Sequence, residues 1–396
     1  MRQTAVKWAA FVTAAMLFSI LFLAGPSAAA ESKKTDQTSI TMTVRTSKKA
    51  DFASELTFTS NELAKALGKA KTEQAPSADL LRDIELTVAQ AGANKGTEGD
   101  PFDGGTYYRL ETNGSLWSAA NGGERIVMPE HAAALLLRCA GALRNQHYGK
   151  LIAWDEAERI LPRKSIFSVT DIESGLTFRV QRRAGSDHAD VQPLTKEDTK
   201  VMKQIYADKW SWNRKAVLVH AGEEWIAASM NGMPHGGDGI PDNGFSGHSC
   251  IHFYLSSTHK SDRPDLAHQL MVHKAAGDLD AYFDGLSPSS LAKTFIAAMN
   301  HKEAELLWHL GKGLEEERLS AIEAEMDSLD SIREEVSSKS KSKGRSADNL
   351  YGDRLTAEVV LSVSFEKKGQ SPQNGKYRFS FQRQSPQSPW RISGVE

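Results

Sequence analysis

Two periods of hydrophobicity run along the chain, and the places where one gives way to the other outline its elements. "ITMTVRT" (residues 40–46) alternates apolar and polar side chains, the mark of a strand with one buried face. "SNELAKALGKA" follows with apolar residues at helical spacing behind Ser60, whose hydroxyl suits the first turn as a cap. Strand patterns return in "DIELTVAQA", "GTYYRLETNGSLWSA" and "ERIVMP", the second folded back at Asn113-Gly114. "PEHAAALLLRCAGALRNQ" then reads as a helix, with Pro129 placed to begin it. Residues 38–148 are therefore expected to form a small α+β domain of structural or docking character.

Alternation resumes in "KSIFSVTDIESGLTFRVQRRAG", around Ser174-Gly175, and in "KAVLVHAGEEWIAASM", around Ala221-Gly222. Both are hairpin signals, and "KEDTKVMKQIYADK" between them is helical. Residues 149–280 are thus expected to be a mainly β domain that delivers the next loop from the end of a strand. From "LSPSSLAKTFIAAMNHKEAELLWHL" the pattern is helical, and the charged run "EEERLSAIEAEMDSLDSIREEV" is expected to continue it as a solvated helix face. "SSKSKSKGRSADN" is polar and of low complexity. The chain closes with alternating strands in "RLTAEVVLSVSFEKKG" and "KYRFSFQRQSPQSPWRISGVE". A helix pair, a long helix and antiparallel strands ending in "WRI" resemble the nuclear transport factor two-like fold over residues 285–396. That resemblance implies a pocket or spacer module.

Composition adds the compartment. Arg2 and Lys7 precede an apolar run from Trp8 to Gly25, and "PSAAA" offers a cleavage site after Ala30, so residues 1–30 read as an export signal. The run approaches the minimum for a membrane span, which leaves retention of residues 8–25 as an anchor as the lesser alternative. Either way the expected location is extracytoplasmic, secreted or anchored at the cell envelope. A formal charge of -2 gives no general pull toward nucleic acid or an anionic membrane surface. Two cysteines do not make a disulfide scaffold. Cys139 lies in a helical pattern and is expected to be a buried structural thiol, whereas Cys250 lies in a loop. Such unlike settings argue against a bond between them.

The loop "MPHGGDGIPDNGFSGHSCIHF" gathers three of the chain's 12 histidines and one of its two cysteines. On an extended strand His248, Cys250 and His252 would share one face, which could build a mononuclear zinc site, with His188 and Asp190 of "HAD" adding ligands. The spacing fits no zinc pattern, however, and the acidic positions fit no EF-hand. A nucleophile is the other reading. A thiol is mostly protonated at neutral pH, and an imidazole beside it can take the proton. The glycines between His235 and Cys250 supply the backbone angles needed to fold the loop back. Amides near Cys250 could then serve as an oxyanion hole.

At these residues the chain resembles an L,D-transpeptidase catalytic domain, which carries a His-Gly pair, a spacer, and Ser-His-Gly-Cys followed by an apolar residue and Arg. Here His235-Gly236 is followed by Gly247-His248-Ser249-Cys250-Ile251-His252. The resemblance implies a sandwich for the central mainly-β domain, and with the patterns on either side the chain is expected to be multidomain, that domain flanked by two α+β domains. It implies Cys250 as the acylated nucleophile, His235 as its general base, and His248 with the Ser249 and Cys250 backbone at the oxyanion region. It also implies peptidoglycan stem peptides as partner and substrate, attacked at a diamino-acid carbonyl, with no cofactor and no metal. Two departures stand out: the glycine has moved across the histidine, and His252 replaces the Arg. Substrate contacts are accordingly expected from His252, Ser249, Gly236 and His188, with the carboxylate taken by Arg182 or Arg183.

The remaining aromatic and histidine positions read more plainly. Trp210 and Trp212 could stack on substrate or pack in the core, and His220, His268 and His273 are expected on amphipathic surfaces. Two rival functions stay open: a catalytically silent cell-wall binding protein, and a zinc-dependent peptidase using the motif histidines.

Overall fold

The computed structural model describes residues 38–90, 105–237, 239–258, 261–335 and 351–396. The leader with residues 8–25, the polar run 337–349 and His259 lie outside them. Among the described residues no helix is long and apolar enough to cross a membrane.

The first strands are β1 (Thr38–Val44) and β2 (Ser54–Thr59), followed by α1 (Asn61–Lys69). β1 buries every second residue, so Ile40, Met42 and Val44 face the core as their alternation predicts. Ser60 caps α1, accepting from the Leu63 N–H. Then come β3 (Lys71–Gln74), β4 (Leu80–Gln90), β5 (Thr106–Glu111), β6 (Leu116–Ser118) and β7 (Glu124–Val127). These strands form one antiparallel sheet of order β2-β1-β4-β5-β6-β7-β3. Its β5–β6 turn is the expected Asn113-Gly114, with Gly114 at φ 82°. Helix α2 (Glu130–His147) covers the sheet and starts directly after Pro129. Cys139 on α2 is a free, half-buried thiol rather than the enclosed one expected, because only one face of α2 meets the sheet.

After α3 (Trp154–Ile160) the chain enters its central sheet: β8 (Ile166–Asp171), β9 (Thr177–Ala184) and β10 (Ala189–Pro193), then α4 (Lys196–Ile205), β11 (Arg214–Ala221), β12 (Glu224–Asn231) and β13 (Ser249–His252). The β8–β9 and β11–β12 turns fall at Gly175 and Gly222, both with positive φ, where the sequence placed them. Instead of two stacked layers, the six strands close into a barrel of order β10-β13-β12-β11-β8-β9. Phe167, Val169, Val180, Val191, Val219, Met230 and Ile251 cluster in its core with Trp154 and Met202 from α3 and α4.

A short pair, β14 (Ser257–Thr258) and β15 (Ser261–Pro264), leads to α5 (Leu266–Ala275). His268 and His273 lie on α5 and are buried, contrary to the expected solvated surface. The helix is enclosed on two sides: it packs on the outer face of β11 and β12 and is covered by later helices. Lys274 at its end is buried between Glu173 (2.7 Å) and Glu303 (2.6 Å).

The last part holds α6 (Leu279–Asp284), α7 (Pro288–His301), α8 (Ala304–Leu310), α9 (Glu316–Ser328), β16 (Leu329–Glu334), β17 (Thr356–Lys367), β18 (Gln373–Gln382) and β19 (Arg391–Val395). The strands follow one another in an antiparallel sheet, β16-β17-β18-β19. The charged run is not one helix throughout. α9 stops at Ser328, and "LDSIRE" turns into β16, because Leu329 and Ile332 are needed under the sheet and the backbone pairs with β17. A single hydrophobic cluster joins β1, α2, the outer face of β11 and β12, α5, α7 and the last sheet. The described residues from Thr38 on belong to one compact α/β unit of several sheets, one of them a closed barrel.

Candidate active site at Cys250

Register decides which side chains meet at the barrel surface. Asp190 on β10 lies directly opposite Cys250 on β13, and Arg214 on β11 lies opposite Asn231 at the end of β12. Two residues further along the same strands, His252 lies opposite Ser229. Side chains two apart on a strand share a face. Ala189, Val191, Met230 and Ile251 point into the barrel core, so Asp190, Cys250, Asn231, His252 and Ser229 line its outer face. α5 closes one side of that face: His268 stacks on His252 with centroids 3.7 Å apart and meets the Ser229 hydroxyl at 2.9 Å.

The glycine-rich loop closes the other side. It leaves β12, turns back and runs beside itself, so that His235 and His248 exchange two backbone hydrogen bonds of 2.9 and 2.7 Å. Gly247 permits this approach: it has φ 90°, and a Cβ there would stand 2.4 Å from the His235 carbonyl oxygen. The Gln192 amide pins the return by bonding the Gly247 carbonyl and the Ile240 N–H. Asn243 anchors the far end, donating to the Pro193 carbonyl at 2.8 Å.

The result is a thiol–imidazole pair. His235 Nε2 lies 3.2 Å from Cys250 Sγ, and His235 Nδ1 lies 2.8 Å from the Met233 carbonyl oxygen. A hydrogen on Nδ1 donated to that carbonyl leaves the Nε2 lone pair facing the thiol. Trp212, 50% exposed, sets its ring 5.0 Å from that of His235 on the solvent side. Cys250 itself is 4% exposed.

Around the sulfur the charges are mixed. Asp190 Oδ1 lies 3.6 Å from Sγ, 3.2 Å from His188 Nε2 and 3.6 Å from His248 Nε2. Burial pushes the Cys250 thiol up, and the Asp190 carboxylate pushes it further, while an Asn231 hydrogen bond and Arg214 pull the other way. The resting sulfur is therefore a thiol, hydrogen-bonded, and not a preformed thiolate. Burial also drives His252 and His268 well below the usual histidine range, so this imidazole stack is neutral.

Most residues singled out in the sequence converge here. His235, His248 and Cys250 form one cluster, and Gly236, exposed with φ 74°, brings its backbone against the His248 ring. His188 is buried rather than lying in an open turn, stacked on His252 at 4.3 Å with Nδ1 3.0 Å from the Ser257 carbonyl oxygen. Ser249 faces the barrel interior, so only its backbone is on the thiol side.

Arg182 is placed elsewhere. It pairs with Val191, points to the interior face, and is 0% exposed beneath Trp154. Its guanidinium donates to the carbonyls of Leu161 and Gly185 at 2.7 Å and to Glu158 at 2.8 Å. An arginine so committed closes the barrel end and cannot meet a substrate across the sheet. Arg183 sits at the irregular β9–β10 step and bonds Gln181. Arg214 and Asn231 take places beside the thiol for which the sequence offered no candidate, and Trp212, expected to stack on substrate or pack in the core, stands against His235. Arg214 and Asn231 are visible only once β11, β12 and β13 are in register.

Two donor sets could hold a cation: His235, His248 and Cys250, or His188, Cys250 and His252, with all ligand atoms of a set within 4.8 Å of one another. No family model, curated protein or solved structure matches the chain.

Proposed function

We propose that this chain is an exported, or membrane-anchored, cysteine acyltransferase of L,D-transpeptidase type acting on peptidoglycan stem peptides. The observation that carries the reading is the 3.2 Å contact between His235 Nε2 and Cys250 Sγ, with Nδ1 oriented by the Met233 carbonyl. In this reading the barrel is the catalytic body in place of the sandwich of the resemblance, and residues 285–396 form a nuclear transport factor two-like module beside it.

His235 takes the thiol proton as Cys250 attacks the carbonyl carbon, because Asp190 disfavours a free thiolate before substrate arrives. The carbon–sulfur bond forms as the carbonyl electrons move to oxygen. Collapse breaks the carbon–nitrogen bond, and the imidazolium returns its proton to the departing amine. A second amine, or water, then displaces the sulfur from the thioester. Arg214, partly exposed and held by the Trp212 carbonyl at 2.9 Å and by Asp265 at 3.4 Å, takes the substrate carboxylate in place of Arg182. Trp212 offers a stacking face at the entrance.

The test is incubation of the purified chain with tetrapeptide muropeptides and mass analysis of both products and protein. The expected outcome is loss of the terminal D-residue and a thioester on Cys250, both abolished by Cys250→Ala. Bound muropeptide without turnover or adduct would overturn the reading in favour of a silent wall-binding protein.

A further inference from the structure

The Cys250 cluster holds more donors than acyl transfer needs. A cysteine–histidine pair requires one imidazole, yet a buried carboxylate and a second imidazole stand around the same sulfur. We propose that Asp190, His235, His248 and Cys250 form a tetrahedral binding site for a soft divalent cation of the zinc class, and that its occupancy switches the thiol off.

The distances carry the proposal. Zinc bonds of about 2.0 to 2.3 Å in a tetrahedron place the ligand atoms about 3.3 to 3.6 Å apart. The observed edges are 3.2 Å from His235 Nε2 to Cys250 Sγ, 3.6 Å from Sγ to Asp190 Oδ1 and 3.6 Å from Oδ1 to His248 Nε2. The His235, His248 and Cys250 donors lie within 4.8 Å of one another.

Charge agrees with geometry. A carboxylate beside a sulfur repels a thiolate, but a dication between them binds both. Behind the site, His188 Nε2 meets the same Asp190 oxygen at 3.2 Å and its Nδ1 meets the Ser257 carbonyl, an arrangement that orients a metal-binding carboxylate. The alternative set with His188 and His252 is wholly buried, whereas His235 and His248 are partly exposed and give a hydrated ion a way in.

On binding, the sulfur–hydrogen bond breaks, the sulfur–metal bond forms, and the proton leaves to solvent. His235 and Cys250 are then both occupied, so the general base and the nucleophile are lost together. That inhibitory consequence rests on the acyl-transfer reading; the cation site does not.

The full purified chain, stripped with a chelator, should bind one Zn²⁺ by calorimetry. Co²⁺ should give tetrahedral visible bands and a sulfur-to-cobalt charge-transfer band in the near ultraviolet. Cys250→Ser should remove the charge-transfer band. Asp190→Asn and His248→Gln should each weaken Zn²⁺ at least tenfold, and His188→Gln about tenfold to a hundredfold, in protein whose circular dichroism is unchanged. Zn²⁺ should block alkylation of Cys250, and chelator should restore it. No charge-transfer band, or Zn²⁺ bound equally well by the wild-type chain and by both Cys250→Ser and His248→Gln, would overturn the site. Zinc binding with no acyl transfer by the stripped protein would sink the transferase reading alone. Acyl transfer with no zinc binding would sink this inference alone.

Discussion

Replacing Asp190 by Asn removes one negative charge 3.6 Å from the Cys250 sulfur and changes almost no volume. At an effective dielectric near 20, two unit charges at this range interact by about 4 kcal/mol. His188 and His248 share the carboxylate, so part of that energy is already compensated. A fall of about one to two pK units is the reasonable expectation for the thiol. At a fixed pH below the thiol pKa, the thiolate fraction then rises about tenfold to a hundredfold. Each thiolate is also less basic and so a weaker nucleophile, with a Brønsted slope near 0.5, which cancels about half of the gain on a logarithmic scale. The net expectation is a rise of about threefold to tenfold in the alkylation rate of Cys250. The assay follows iodoacetamide incorporation by peptide mass, in the presence of chelator, from pH 7 to 10. Cys139 on α2 serves as the internal reference, and its rate should not change. If a folded Asp190→Asn protein alkylates at Cys250 no faster than wild type across that range, the electrostatic account of the site is wrong.

Three further outcomes follow from the geometry. Gly236→Ala puts a Cβ 2.2 Å from His248 Cε1 at a φ of 74°, so it should cost about 1–2 kcal/mol in urea unfolding and push the imidazole out of the cluster. In the acyl-transfer reading, its activity should drop more than tenfold. Lys274→Met strands Glu173 and Glu303 without their buried cation and should lower unfolding free energy by about 3–5 kcal/mol; an unchanged denaturation midpoint would refute the ion-pair role. His147, fully buried against Ser54 and Phe52, is pushed down to about 4 by burial. The unfolded chain takes up a proton below about pH 6.5 that the fold refuses, so stability should fall by about 3 kcal/mol between pH 6.5 and 4. His147→Gln should flatten that slope.

Local rules made much of this protein legible in advance. Asn113-Gly114, Gly175 and Gly222 mark hairpins because a tight turn needs positive φ where it bends, and that need is met by one or two neighbouring residues. Ser60 and Pro129 mark helix starts for the same reason: capping is settled within four residues. The meeting of His235 and Cys250 was also readable, since fourteen intervening residues rich in glycine can close only a short loop.

The tertiary structure decided what depends on pairing between distant strands. One residue of register separates the inner from the outer face of the barrel, and that difference buries Arg182 under Trp154 while it sets Asp190 against Cys250. The enclosure of α5 and the change from α9 to β16 are of the same kind, because covering layers and sheet partners arrive from far along the chain. Sequence by itself determined which residues could do chemistry near Cys250. Closure of the six strands determined which of them stand close enough to share its proton, since register is a long-range quantity that no local period encodes.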